Sequence, residues 1–226
     1  MTVLHLADET EAADLAAFLS RLLHYDRGAA VRLQAAGTAL AVFGRPPSFE
    51  VLAVRAVRLA KPYEDGLDVT LDVTVSAGEF LESVDERAAT AGVPAAVTGP
   101  PWAGVLPPRG GWRPEPGLPA PDALRATVAA AVGEFRSRTE ELTPERRTRA
   151  ELDRIGRDIW SREIGRTRLP VRAVHAAQSL GFLRPGTEPA DTGLFSSGTW
   201  LRLRTPYGSV AVRRTGLGTL GVTVTH

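Results

Sequence analysis

The chain has 226 residues, of which 43% are hydrophobic and 23% are charged, and its formal net charge at pH 7 is +1. This composition is typical of a folded protein with one large domain or two small ones. The sequence contains no cysteine, which excludes thiolate zinc sites, iron–sulfur clusters and a cysteine nucleophile.

The first predicted element is a helix over residues 9–24. Asp8 followed by Glu11 resembles a capping box, with aspartate at the cap position. Apolar residues then recur at helical spacing and define one buried stripe, formed by Leu15, Phe18, Leu19, Leu22 and Leu23.

Between residues 29 and 76 the hydrophobic pattern changes to alternation, which indicates β-strands. The sequence predicts strands near 31–35, 38–43, 49–59 and 67–75. In the last one, Leu67, Val69, Leu71, Val73 and Val75 should face the core, with Asp68, Thr70, Asp72 and Thr74 toward solvent. We expect a four-stranded antiparallel meander with one solvated face.

Ser76 and Glu79 form a second capping box, which predicts a helix over 77–90 that ends before Gly92 and Pro94. Residues 1–93 are therefore predicted to be one helix–sheet–helix unit.

Residues 94–121 contain nine of the 17 prolines and cannot form a helix or a central strand. Because disordered linkers seldom carry two tryptophans, we expect Trp102 and Trp112 to be ordered and at least half buried. The two rings either fasten this loop to the protein or provide a binding surface, with Arg109 and Arg113 beside them.

Residues 122–226 are predicted to be a helical part that ends in a β-hairpin. We expect helices over 122–142, with Asp122 as cap, and over 144–163, with Thr143 as cap, then a short one from Pro170 to Leu180. The hairpin should pair 199–204 with 209–214, and 221–225 can add a strand. The predicted fold class is therefore α+β.

This C-terminal part is partly winged-helix-like, because a short helix precedes a hairpin that resembles a wing. Its candidate surface, for a partner or for nucleic acid, comprises Arg172, His175, Arg202, Arg204, Arg213 and Arg214. A second interpretation is that many arginines of the C-terminal part simply pair with acidic residues. Asp153 with Arg157 and Asp158 with Arg162 are examples, since each pair has the i, i+4 spacing of neighbours on a helix.

The charge of the chain is unevenly distributed. Residues 1–142 carry a net charge of −6 and residues 143–226 a net charge of +7. Such a split predicts either an interface between the two halves or a basic surface for an anionic partner. Arginine supplies all basic residues except Lys61, which indicates a GC-rich genome and weakens the usual link between arginine and nucleic acid.

The sequence predicts no catalytic, cofactor or metal site. The four histidines are scattered, at positions 5, 24, 175 and 226, and no two have the spacing of helical metal ligands. Gly216–Gly221 matches a dinucleotide-binding pattern, but too few residues follow it for the helix that such a site needs.

Residues 2–59, the tryptophan-containing loop and the Arg204-Thr205-Pro206-Tyr207-Gly208 turn resemble an uncharacterised protein type of streptomycetes and related actinobacteria. The resemblance implies no activity. We expect a non-catalytic binding or regulatory protein that acts through a protein partner or as a homo-oligomer; the alternatives are a DNA-binding protein and, third, an enzyme.

No apolar run reaches membrane-span length and the N-terminus does not resemble a signal peptide, so we expect a cytoplasmic protein that does not bind membranes.

Overall fold

The computed structural model describes residues 2–63 and 71–214. Within them the fold is mixed α+β, as predicted. The α-helices are α1 Glu9–Tyr25, α2 Ala77–Glu82, α3 Pro121–Glu140, α4 Arg149–Trp160 and α5 Val171–Ser179. Short 3₁₀ turns lie at Pro47–Phe49, Pro101–Gly104 and Pro189–Asp191.

The strands of the described residues form two antiparallel sheets. The smaller sheet has the order β1-β7-β6 and the larger one β5-β2-β3-β4-β11-β10-β9-β8. The strands are β1 Val3–His5, β2 Ala30–Ala36, β3 Ala39–Gly44, β4 Leu52–Arg58, β5 Leu71–Ser76, β6 Val84–Asp85, β7 Thr90–Gly92, β8 Arg113–Glu115, β9 Gly193–Ser197, β10 Trp200–Thr205 and β11 Gly208–Arg213.

The strand order differs from the simple meander that we expected. The antiparallel pairs β2–β3 and β3–β4 are adjacent in sequence, but β5 returns to pair with β2 in the register Val31↔Val75. This placement leaves the other edge of β4 free to pair with β11. The larger sheet therefore continues from the N-terminal half of the chain into the C-terminal half.

The predicted alternation of β5 is present where the strand is described. Val75 is buried, Leu71 and Val73 are partly buried against the main core, and Asp72 is exposed on the other face. Because a shift of one residue would exchange the two faces, this agreement fixes the register. The predicted positions 67–70 lie outside the described residues.

Helix α1 begins as the capping box predicted, since the Asp8 carboxylate accepts the Glu11 backbone N–H at 2.8 Å. Its buried residues are Ala12, Leu15, Phe18, Leu19 and Leu22. They pack on one face of the larger sheet, together with apolar residues of α3, α4 and α5.

The predicted helix over 77–90 is too long. The Ser76 cap is present, but the Ser83 hydroxyl donates to the carbonyls of Phe80 and Gly92, both at 2.7 Å, and α2 ends there. The chain then reverses, with the Asp85 carboxylate accepting the Ala88 N–H, and forms the β6–β7 pair. Local side-chain bonds of this kind compete with helix continuation.

Two predicted helix starts also require correction. Helix α3 starts at Pro121 with Ala120 as its cap, and Asp122 lies in the first turn. Helix α4 starts after Thr148, whose hydroxyl accepts the Glu151 N–H at 3.3 Å, and not after Thr143. Both Thr148 and Thr143 suit a cap, and the sequence pattern selected the wrong one.

Helix α5 and the β10–β11 hairpin lie close to their predicted positions. The added strand next to β10 is β9, whereas the predicted strand at 221–225 lies outside the described residues. The winged-helix resemblance is not confirmed, because β11 pairs with β4 and the hairpin lies inside the larger sheet. No helix among residues 2–63 and 71–214 is long and apolar enough to cross a membrane.

Arg55 connects the two halves of the chain beneath α1. Its guanidinium donates to Glu11 at 2.9 Å, to Asp14 at 3.4 Å and to the backbone carbonyl of Tyr207 at 2.8 Å. Asp14 in turn accepts a hydrogen bond from Arg184 at 2.7 Å, and the Arg184 guanidinium lies 3.8 Å from the Tyr207 ring centroid. We call these five residues the Arg55 network; it joins α1, β4 and the β10–β11 turn.

We predict that Arg55→Met will lower the free energy of unfolding by about 2 kcal/mol, because the partly buried carboxylates of Glu11 and Asp14 and the Tyr207 carbonyl lose a charged donor. Urea denaturation measures this change. The control is Arg58→Met: Arg58 also pairs with Glu11, but its side chain is 72% exposed, so its loss should change stability little. Equal effects of the two substitutions would contradict the central role of Arg55.

Candidate functional site

The face of the larger sheet opposite the helices carries a second, smaller apolar cluster. Its buried members come from β3, β4, β10 and β11: Phe43, Leu52, Val54, Trp200 and Ala211. The proline-rich loop, residues 94–121, crosses this face. Trp102, Leu106 and Trp112 of the loop are partly buried and pack on the cluster. The expectation that both tryptophans are at least half buried is confirmed.

Arg32 fastens the loop to the sheet. Its guanidinium donates to the Asp72 carboxylate at 2.7 and 2.9 Å and also to the backbone carbonyl of Ala103, next to Trp102. This hydrogen bonding from Arg32 lowers the pKa of Asp72, so the carboxylate stays ionised. The position of Trp102 is thus set by a charge pair on β2 and β5.

Trp112 is held by the loop itself. Its indole N–H donates to the Pro108 carbonyl at 3.0 Å, and the Ser197 hydroxyl donates to the Gly110 carbonyl at 3.3 Å. Ser197 belongs to β9, so these bonds tie the end of the loop to the sheet edge. The short edge strand β8 follows immediately.

Three arginines on this face each lie over an aromatic ring. The distances from guanidinium carbon to ring centroid are 5.6 Å for Arg202 and Trp112, 5.1 Å for Arg204 and Phe195, and 5.2 Å for Arg213 and Trp200. These are cation–π distances. We call this set the basic face: Arg202, Arg204, Arg213, Trp112, Phe195 and Trp200.

The arginines of the basic face form no ion pair within residues 2–63 and 71–214, where many others do. Arg202 is partly buried and donates to the Ser209 hydroxyl at 2.9 Å. Burial lowers the pKa of Arg202, and the neighbouring charge of Arg204 lowers it further. A partly desolvated cation without a carboxylate is costly, and an anionic ligand would offset that cost.

An open cleft of about 390 Å³ adjoins the basic face. It lies between Trp102 and Trp200, with Leu52 and Ala211 of the sheet and Val105 of the loop also lining it. Arg45, Arg213 and Glu50 supply its charged side chains. We call it the tryptophan cleft. Another cleft, of about 740 Å³, is also lined by Trp102 and Arg45, and includes Val97.

The structure divides the predicted surface residues into three places. Trp102, Trp112 and the three arginines of the basic face lie together on one side of the sheet. Arg172 and His175 belong to α5 in the helical layer, where Arg172 lies 3.8 Å from Glu50 and His175 stacks on Trp160. Arg214 follows β11 and donates to the Gly198 carbonyl in the β9–β10 turn.

The charge split is resolved in two ways. Arg162, Arg172 and Arg184 pair with Glu134, Glu50 and Asp14, which are acids from the first 142 residues. The hairpin arginines of the basic face do not pair in this way. Part of the C-terminal positive charge therefore serves internal contacts, and part of it faces outward.

Sequence reasoning missed three residues of this region: Arg45, Phe195 and Trp200. The signal for Trp200 was present, because Trp200, Arg202 and Arg204 alternate along one strand and must share a face. Phe195 and Arg45 reach the site through strand pairings of β9 and β3 that no local pattern specifies. In the described part of the chain, no three His, Asp or Glu side chains are grouped as a metal site would need.

Comparison with known families divides the chain near the middle of the proline-rich loop. Residues 1–104 match a family model described as a domain of unknown function, DUF8010. Residues 107–217 match a second one, DUF8185, with the same description. Neither match extends over half of the chain. No curated protein matches it.

Strands from both matched segments form the larger sheet, since β4 belongs to the first segment and β11 to the second. The tryptophan cleft combines residues of both segments as well, whereas the basic face lies entirely in the second segment. The two segments thus contribute to a common surface.

We predict that His175 makes stability depend on pH. It is packed between Phe49 and Trp160, and burial lowers its pKa. The His175 imidazole is therefore protonated more readily in the unfolded chain than in the folded one. Stability should therefore be full above pH ~6.5, the ordinary histidine value, and fall as the pH drops below it.

Urea unfolding at about pH 7.5 and about pH 5.5 measures this loss, and His175→Phe should reduce it. The control is Val3→Gln, since Val3 is 52% exposed and carries no titratable group, so the pH dependence should be unchanged. A dependence that persists in full in His175→Phe would show that other groups cause it.

We predict that Arg32→Met will loosen the proline-rich loop, because the Ala103 carbonyl and Asp72 lose their donor. Trypsin cleavage after the exposed Arg109, identified by mass spectrometry, should become several-fold faster. Arg154→Met removes an ion pair with Glu151 on α4 and serves as the control, with an unchanged rate expected. An unchanged rate in Arg32→Met would contradict the role of Arg32 in fastening the loop.

Proposed function

We propose that this protein is a non-catalytic binding protein whose basic face engages an acidic segment of a protein partner. The observation that carries the proposal is the arrangement of Arg202, Arg204 and Arg213, each over an aromatic ring and each without an acidic partner in the described residues. Such a surface offers cations whose positions are already restricted, so a ligand carboxylate gains a strong hydrogen bond at small entropic cost.

The chemistry of this face favours binding over catalysis. Guanidinium groups remain charged at neutral pH and act only as donors, and aromatic rings supply contact area. Arginine and tryptophan are also the residues that contribute most to protein–protein binding energy where they are packed together. These properties suit an anionic and partly apolar surface.

The spacing of the arginines supports an extended ligand. Arg202 and Arg204 are two residues apart on β10, which separates them by ~6.8 Å along the strand. Alternate residues of an extended peptide have the same separation. We therefore propose that acidic side chains at alternate positions of the partner segment meet these arginines.

The test uses a fluorescein-labelled peptide of alternating Glu and Gly, with binding followed by fluorescence anisotropy. We expect binding that weakens several-fold between about 50 mM and about 300 mM NaCl, because salt screens exposed charges. The triple substitution Arg202→Gln, Arg204→Gln and Arg213→Gln should reduce affinity at least tenfold.

A matched triple variant removes the same charge elsewhere: Arg136→Gln, Arg157→Gln and Arg168→Gln. These arginines are exposed in the helical layer and form no ion pair with the described residues. Affinity should stay within about twofold of the unchanged protein. Equal loss in both variants, or tighter binding of duplex DNA than of the peptide through the same arginines, would overturn the proposal.

A further inference from the structure

We infer that the tryptophan cleft binds an aromatic side chain of the partner segment, next to the acidic residues that the basic face would hold. This inference rests on the proposed function and adds to it the second determinant of the ligand. It follows from three properties of the cleft: its apolar walls, its charged rim and its fixed shape.

The walls of the cleft are lined mainly by apolar side chains. Trp200 is 9% exposed and forms part of the sheet, with Leu52 and Ala211 beside it. On the loop side, Trp102 faces the same space and Val105 is 45% exposed, one of few large apolar side chains so open among the described residues. A volume of about 390 Å³ is within the range of ligand pockets and accommodates an aromatic side chain.

The rim of the cleft is basic. Arg45 and Arg213 are exposed and form no ion pair with described residues, whereas the Glu50 carboxylate lies 3.8 Å from Arg172. The ligand should therefore carry negative charge beside its aromatic group. An isolated apolar side chain would leave these two guanidinium groups unused.

The position of the cleft links it to the basic face. Trp200, Arg202 and Arg204 are alternate residues of β10 and therefore lie on the same face of the strand. Arg213 of β11 is the cross-strand partner of Trp200. An extended segment with its aromatic residue in the cleft would thus place alternate residues over the arginines of β10. The ligand that fits is an aromatic residue followed by acids at every second position.

The shape of the cleft is fixed before binding. Trp102 lies in the 3₁₀ turn Pro101–Gly104, where the buried Ala103 accepts a hydrogen bond from Arg32. A wall held in this way does not have to be ordered by the ligand, which lowers the entropic cost of association.

The experiment compares two labelled peptides that differ at one position. One has Phe followed by alternating Gly and Glu, and the other has Ala in place of Phe. We expect the Phe peptide to bind at least tenfold more tightly, as burial of a large apolar side chain predicts. Trp102→Ala should reduce this preference to less than threefold, and Val105→Gln, at an exposed position that tolerates substitution, should also reduce it.

Two controls separate the cleft from its surroundings. Trp112→Ala removes the other loop tryptophan, which lies outside the cleft, and should leave the preference for Phe intact even if both affinities fall. Val97→Gln alters an apolar side chain that is 40% exposed in the neighbouring cleft and should have no effect. In ¹⁵N spectra, the Phe peptide should shift the indole signals of Trp102 and Trp200 more than that of Trp160.

Equal affinity for the two peptides would overturn this inference, while salt-sensitive binding of the Ala peptide would still support the proposed function. Binding of neither peptide would overturn both. A preference for Phe that survives in Trp102→Ala and in Val105→Gln would place the aromatic group elsewhere and would overturn the inference alone.

Discussion

The charge of Arg55 is the constraint on which the rest of the architecture depends. Its side chain is 6% exposed, so its guanidinium must find partners inside the protein. Two of these partners come from α1 and one is the backbone of the β10–β11 turn. The Arg55 guanidinium therefore has all of these hydrogen-bond partners only when α1, β4 and the β10–β11 turn are in place. This requirement couples the N-terminal and C-terminal halves energetically.

The coupling explains why one face of the larger sheet carries none of the described helices. The helices of both halves gather on the side where Arg55 lies, and they bury the main core there. Among residues 2–63 and 71–214, the opposite side receives only the proline-rich loop, which covers the apolar centre and leaves the arginine-bearing strands open at its margin. This loop places two indole rings on the sheet face before its short strand β8 joins the sheet edge beside β9.

The sequence predicted those features of the fold that depend on residues close together in the chain. The Asp8 cap, the alternation in β5 and the turn between β10 and β11 all depend on residues near one another in the chain. The pairing of β4 with β11 joins residues more than 150 positions apart, and no local pattern specifies it. The same holds for the site: Trp102 and Trp112 stood out in the sequence, but their neighbours Arg45, Phe195 and Trp200 are brought to them by distant strand pairings.

The β4–β11 pairing also has a consequence for how the molecule can be divided. A fragment that stopped near residue 104 would expose the edge of β4, with its unpaired backbone groups and the apolar side chains of Ala53 and Val54. An open edge of this kind is a template for pairing with any other strand. Two cut fragments that meet in solution should therefore reassemble through this edge, whereas either fragment expressed by itself should aggregate. Two intact copies could likewise exchange their C-terminal halves across it, producing an intertwined dimer in which every strand keeps its original neighbours.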